Sequence, residues 1–103
     1  MNRKYDDGHL LLLFEFGEGR KTFKEFSRRV NCMDGIREMY ERFMDPEGRQ
    51  LEQPTYKLED IYNYLDSFKN VVLLEYQADI SRYKEYNREQ LKELMLSEIQ
   101  KLE

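Results

Sequence analysis

Two side chains dominate any search for nucleophilic or metal chemistry, because the chain has a single histidine, His9, and a single cysteine, Cys32. A catalytic or metal role for His9 needs convergent Cys, His or carboxylate partners. Its nearest ionisable neighbours along the chain are Asp6, Asp7 and Glu15, and an edge or interface histidine is the simpler reading. Cys32 falls at the start of an expected helix, where a thiol pKa can drop. With no second cysteine and no histidine at a motif spacing, it reads as a packed helix residue. Carboxylates are numerous, but most have Lys or Arg at helical spacing, as Glu38 has Arg42, which describes a solvated face. A glycosidase-type pair stays open, although nothing marks one. Gly17-Glu-Gly19 is a turn rather than a phosphate loop, since no helix follows it directly. No catalytic set, metal set or cofactor site is recognisable.

The aromatic residues raise a different chemistry. Phe23, Phe26, Tyr62, Tyr64, Tyr76, Tyr83 and Tyr86 would suit base stacking if they stood exposed on strands beside Lys or Arg. Most of them fall at core-compatible positions. The net charge is −4, the wrong sign for a phosphate-binding footprint. A tyrosine-rich core and protein interface is the favoured reading.

What must position these side chains is a pair of unusual strands. The run His9-Leu-Leu-Leu-Leu-Phe-Glu-Phe16 is apolar on both faces. Leu10, Leu12, Phe14 and Phe16 alternate with His9, Leu11 and Leu13. In a small antiparallel sheet one face is normally wet, and here no wet residue intervenes before Glu15. Val71-Val-Leu-Leu-Glu-Tyr76 behaves the same way. Two such strands need two covers, one from the chain's own helices and one from further helices or another molecule.

The remaining elements follow from periodicity. A first strand is expected at 9–16 and, after the Gly17–Arg20 turn, a second at 22–26. A helix capped by Asn31 carries Met33, Ile36, Tyr40 and Phe43 on one stripe and stops before Pro46. Gly35 inside it suggests close approach of another element. A polar loop covers 47–54. Leu58, Ile61, Tyr62, Leu65 and Phe68 define a second helix. Strands at 71–78 and 82–86 follow. Asn87 and Gln90 form a capping box for a last helix that turns Leu91, Leu94, Met95, Ile99 and Leu102 inward. The order β-β-α-α-β-β-α is an α+β fold with a four-stranded, mainly antiparallel sheet and three helices on one face.

At 103 residues, 40% apolar and 37% charged, the chain suits one domain at 9–103 behind a loose tail at 1–8. A lone cysteine cannot form an internal disulfide, which fits a reducing compartment. No stretch has the length of a membrane helix, and the early apolar run is too short for a signal peptide. A nuclear or cytosolic protein is expected.

Taken together, these segments resemble the enhancer of rudimentary homolog family. The carriers are Met33-Asp-Gly-Ile-Arg-Glu-Met-Tyr-Glu41, Thr55-Tyr-Lys-Leu-Glu-Asp-Ile-Tyr-Asn-Tyr-Leu-Asp66, Leu74-Glu-Tyr-Gln-Ala-Asp79 and Tyr83-Lys-Glu-Tyr-Asn-Arg-Glu-Gln-Leu-Lys-Glu93, with the opening strand from His9. The turn at 17–20 and the segment before Cys32 are shorter than the family pattern, and Gln90 stands where the family has an aromatic residue. The resemblance implies a non-enzymatic homodimer without cofactor or metal. It implies a platform that binds peptide segments of RNA-processing proteins in splicing, small-RNA processing or selective transcript elimination, reaching RNA indirectly, in the nucleus and also the cytoplasm. It carries His9, Leu11, Leu13 and Leu73 to a dimer face on the sheet, and leaves Leu10, Leu12 and Phe14 to the intrachain core. Tyr83, Tyr86 and the sheet edges are the candidates for partner contact. The alternatives are a small single-domain enzyme and a direct RNA-binding module.

Overall fold

The computed structural model describes residues 9–45, 47–48 and 57–101. The tail expected at 1–8 and most of the loop expected at 47–54 lie outside the described residues. Among these residues the elements run β1 (Leu10–Glu15), β2 (Lys21–Phe26), α1 (Arg29–Met44), α2 (Leu58–Asp66), β3 (Asn70–Gln77), β4 (Arg82–Tyr86) and α3 (Arg88–Lys101). The expected β-β-α-α-β-β-α order and the α+β class are both present.

The four strands form one antiparallel sheet in the order β2-β1-β3-β4. The β1–β2 connection closes over Gly17–Gly19, where Glu18 and Gly19 adopt φ of 67° and 75°. The Phe16 amide then bonds the Arg20 carbonyl at 2.7 Å. This tight left-handed step lets the two short strands pair directly. The register sets Leu12 beside Leu73 and Phe14 beside Val71. Leu10, Leu12, Phe14, Val71 and Leu73 therefore share one face and bury themselves among Cys32, Ile36, Leu65, Leu91 and Met95 of the three helices. Each fully buried side chain of this kind contributes about 1.5–3 kcal/mol.

Helix α1 starts earlier than its expected cap. Arg28 is the extended residue before it, and its carbonyl accepts the Cys32 amide at 3.0 Å. Asn31 lies inside the first turn, where its amide group donates to the Ser27 hydroxyl at 2.9 Å. The helix ends at Met44, as Pro46 requires. Gly35 faces Phe26 so closely that a Cβ there would sit 2.5 Å from the ring. The capping box of α3 is complete: Gln90 N–H donates to Asn87 Oδ1, and Asn87 N–H donates to Gln90 Oε1, both at 2.9 Å.

Most aromatic rings pack within the molecule. Phe68 meets Phe14, Phe16 and Tyr64 at centroid distances of 5.1, 5.4 and 5.1 Å, and Tyr64 continues the chain to Tyr40 at 5.6 Å. Phe43 departs from its expected inward position. It lies against Tyr64 at 5.0 Å but stays largely exposed, because α1 runs on past the core. Ile99, also expected inward, sits at the exposed edge of α3.

Candidate interaction surface

The helices lie on one side of the sheet, and the opposite side presents the second row of every strand. From the register these rows are Lys21, Phe23 and Glu25 on β2, and Leu11, Leu13 and Glu15 on β1. Val72, Leu74 and Tyr76 follow on β3, then Tyr83 and Glu85 on β4. Leu13 lies between Phe23 and Val72, and Leu11 between Glu25 and Leu74. The result is an apolar patch with a charged rim. Phe23 is 58% and Leu13 38% exposed, so these side chains lack the cover given to the inner row. A concavity of about 320 Å³ is lined by Leu13, Glu15, Lys21, Val72, Leu74 and Glu85, among others.

His9 stands at the corner of this patch. Its carbonyl accepts the Tyr76 amide at 2.8 Å. Its Nδ1 lies 2.9 Å from the Tyr83 hydroxyl, and Nε2 lies 3.8 Å from Glu25 Oε2. Tyr83 also packs edge-on against Tyr76 at 5.2 Å. His9, Leu11, Leu13 and Tyr83 are thus brought together on the outer side.

Two expected site residues are elsewhere. Leu73 is 0% exposed on the inner side, sealed by the chain's own helices, so it cannot contribute to an outer face. Val72 and Leu74 occupy the outer positions of β3 instead. Tyr86 is also turned inward and buried. Its hydroxyl donates to Glu75 Oε1 at 3.0 Å and accepts from Arg29 Nη2 at 3.3 Å, so it belongs to an internal network rather than a partner surface.

That network is the main polar feature of the core. Arg29 binds Glu75 with Nε and Nη2, and Glu98 Oε2 lies 3.6 Å from Arg29 Nη1. The Arg29 guanidinium holds the Glu75 carboxyl below its ordinary value, while Glu75 in turn pushes the Arg29 pKa up. Burial, followed by the Glu75 carboxylate, raises the Tyr86 phenol. The arrangement joins α1, β3, β4 and α3, and the acid and base are neutralised by each other. It has the form of a structural clamp.

Elsewhere, Cys32 is fully buried, and burial pushes its thiol up to about 12. Among the described residues no group of three His, Cys, Asp or Glu side chains is placed to hold a metal ion. Among them, too, no helix is long and apolar enough to cross a membrane.

The family model described as Enhancer of rudimentary matches residues 6–103. The chain belongs to the enhancer of rudimentary family. An enhancer of rudimentary homolog from Dictyostelium discoideum is 28% identical over 93 residues, covering 90% of this chain and 93% of that protein. The homolog from Arabidopsis thaliana is 30% identical over 87 residues, covering 82% of this chain and 80% of that protein. Protein enhancer of rudimentary from Drosophila virilis is 24% identical over 87 residues, with 82% and 84% covered. Family membership therefore extends over both hairpins and all three helices.

Phe23, Val72 and Leu74 are surface residues that the sequence analysis did not place. For Phe23 the available signal was its position across the hairpin from Leu13. For Val72 and Leu74 it was the second apolar row of β3, which only the register could orient.

Proposed function

We propose that this family member is a non-enzymatic homodimeric scaffold. Two copies meet through the outer sheet side, and the pair binds peptide segments of RNA-processing proteins. The observation that carries the reading is the apolar row Leu11, Leu13, Phe23, Val72 and Leu74, left uncovered by the chain's own helices. A contiguous patch of this kind on a small domain marks an association surface, and a two-fold pair covers it with its own equivalent. The resemblance to the enhancer of rudimentary family supports the RNA-processing role and a nuclear location. The net charge of −4 supports RNA being reached through a bound protein. Two copies present two equivalent peptide sites, so one dimer can bridge two partner chains. Main-chain pairing at a sheet edge and apolar anchoring beside the seam are the recognition modes that suit such a surface.

Affinity capture from cells with mass spectrometry tests this reading, with wild type beside Leu13→Arg. RNA-processing proteins captured by wild type and lost with Leu13→Arg support a dimeric scaffold. Their absence from the wild-type capture contradicts it. Direct, steeply salt-dependent RNA binding by the purified protein would favour a nucleic-acid module instead.

A further inference from the structure

The sheet ends at β2, and that edge is open. Phe16 bonds Arg20 across the hairpin, so the alternation of an antiparallel ladder gives Thr22, Lys24 and Phe26 the bonds to β1. Lys21, Phe23 and Glu25 then turn their main-chain N–H and C=O groups away from β1, in the plane of the sheet. Among the described residues no strand pairs with them. The side chains are equally open: every β2 residue but Phe26 is exposed. Thr22 and Lys24 share the helix side with Phe26. Helix α1 meets β2 at the Phe26 ring, against Gly35, and leaves those two in solvent. The charge here is also opposite to that of the chain. Arg20, Lys21, Lys24 and Arg28 stand against one acid, Glu25, while the net charge is −4. Among the described residues Lys21, Lys24 and Arg28 enter no ion pair. The β4 edge differs. Only Tyr83 and Glu85 turn main-chain groups outward there, and Lys84 is drawn over the Tyr86 ring at 5.0 Å.

We propose that the open edge of β2 receives an acidic, extended peptide as a fifth strand. The proposal rests on the peptide-scaffold reading and names where a partner segment pairs and what chemistry it carries. Antiparallel pairing, the stronger geometry per residue, sets one partner residue opposite Phe23 and lets the two exchange both main-chain hydrogen bonds. Its side chain stands beside the exposed Phe23 ring on the outer side, so it is apolar. The residue before it faces Lys24 on the helix side, and the residue two after it faces Lys21, so both are acidic. The recognised spacing is acid–apolar–any–acid. Lysines on an open edge ordinarily oppose pairing with another copy of the same edge. Here the same lysines that repel a second β2 attract a strand of opposite charge. Because the free main-chain groups lie in the sheet plane, a copy on the outer side leaves them open. A nucleic acid would use the charges but not the alternating amides and carbonyls, and those favour a peptide.

The probe is a capped, fluorescent nonapeptide with glutamate–isoleucine–threonine–glutamate at its centre and threonine elsewhere, titrated with the full chain by anisotropy. Saturable micromolar binding by wild type is expected. Lys21→Glu/Lys24→Glu, with unchanged circular dichroism, should raise Kd about tenfold or more, and the difference should shrink in high salt. A peptide with lysine in place of both glutamates should prefer this variant to wild type. N-methylation of the isoleucine nitrogen, which faces Phe23, should abolish binding. N-methylation of the following threonine, which faces away from β2, should leave Kd within about threefold. Equal loss from both methylations, or an unchanged Kd in the double variant, overturns the edge pairing. Tighter binding of an octauridylate than of the peptide, lost in the double variant, overturns the peptide and assigns the charges to RNA phosphate. No peptide binding by a wild type that still captures RNA-processing proteins from cells overturns the edge site and leaves the scaffold reading standing. Peptide binding by a wild type that captures none leaves the edge site standing and overturns the RNA-processing role.

Discussion

Arg29 grips Glu75 through two hydrogen bonds, at 2.7 and 2.8 Å, in a site where Glu75 is only 4% exposed. A paired buried charge is tolerated, and an unpaired one is expensive. Arg29→Met should cost about 3 kcal/mol in urea unfolding, the low end for a buried pair because Arg29 itself reaches solvent. The double variant Arg29→Met/Glu75→Leu should lose less than Arg29→Met alone. A loss indistinguishable from zero in Arg29→Met would show that the clamp is not holding the carboxylate.

The same pair sets an acid limit on stability. The Glu75 pKa is lowered, chiefly by its hydrogen bonds from Arg29. A lowered folded-state value gives stability that is present in full above the ordinary carboxylate value. It drains as pH falls through that value and on through the lowered one. Wild type should lose stability on acidification across this window, and Glu75→Gln should have a flatter acid limb. Parallel acid limbs would contradict the assignment.

Gly35 is held by the ring of Phe26. In an open helix Gly→Ala gains about 1 kcal/mol, but here the new Cβ would fall 2.5 Å from the ring. Overpacking of this kind costs about 1–3 kcal/mol. Gly35→Ala should therefore lower the melting temperature, and Phe26→Leu/Gly35→Ala should recover the difference relative to Phe26→Leu. A Gly35→Ala variant more stable than wild type would show that the ring simply moves aside.

Cys32 should be inert while the protein is folded. Burial raises its thiol to about 12, and the thiolate is the reactive form. At pH 8 a thiol reagent should modify it only at the rate of opening, accelerating through the urea transition. Rapid stoichiometric modification of folded protein would contradict its burial.

Much of this architecture was legible because its signals are local. The α3 cap needs only Asn87 and Gln90, three residues apart, and both bonds form. The two-sided character of β1 is written in its own five apolar residues. β3 was harder. Both of its rows are apolar, Val71 and Leu73 against Val72 and Leu74. Glu75 shares the row of Leu73, and a carboxylate ordinarily marks the solvent side. Arg29, forty-six residues away, neutralises it and draws that row inward. Long-range neutralisation of this sort leaves no periodic trace, which is why the sequence points Leu73 to a dimer face and Tyr86 to partner contact. The start of α1 was missed for a related reason, since Arg28 ends an extended stretch without offering a side-chain cap.

In the proposed homodimer a second copy covers the outer sheet side, with Leu13 at its middle. The most direct measurement is the mass in solution, by light scattering at micromolar concentration, of wild type beside Leu13→Arg and Leu73→Arg. Wild type should weigh twice the 12.7 kDa chain. Leu13→Arg should be a folded monomer, because the charge meets water once the copies part. Leu73→Arg should fail to fold, because its charge is trapped in the core. Wild type at the mass of one chain, or Leu13→Arg at the mass of two, would rule out a dimer built on this side of the sheet.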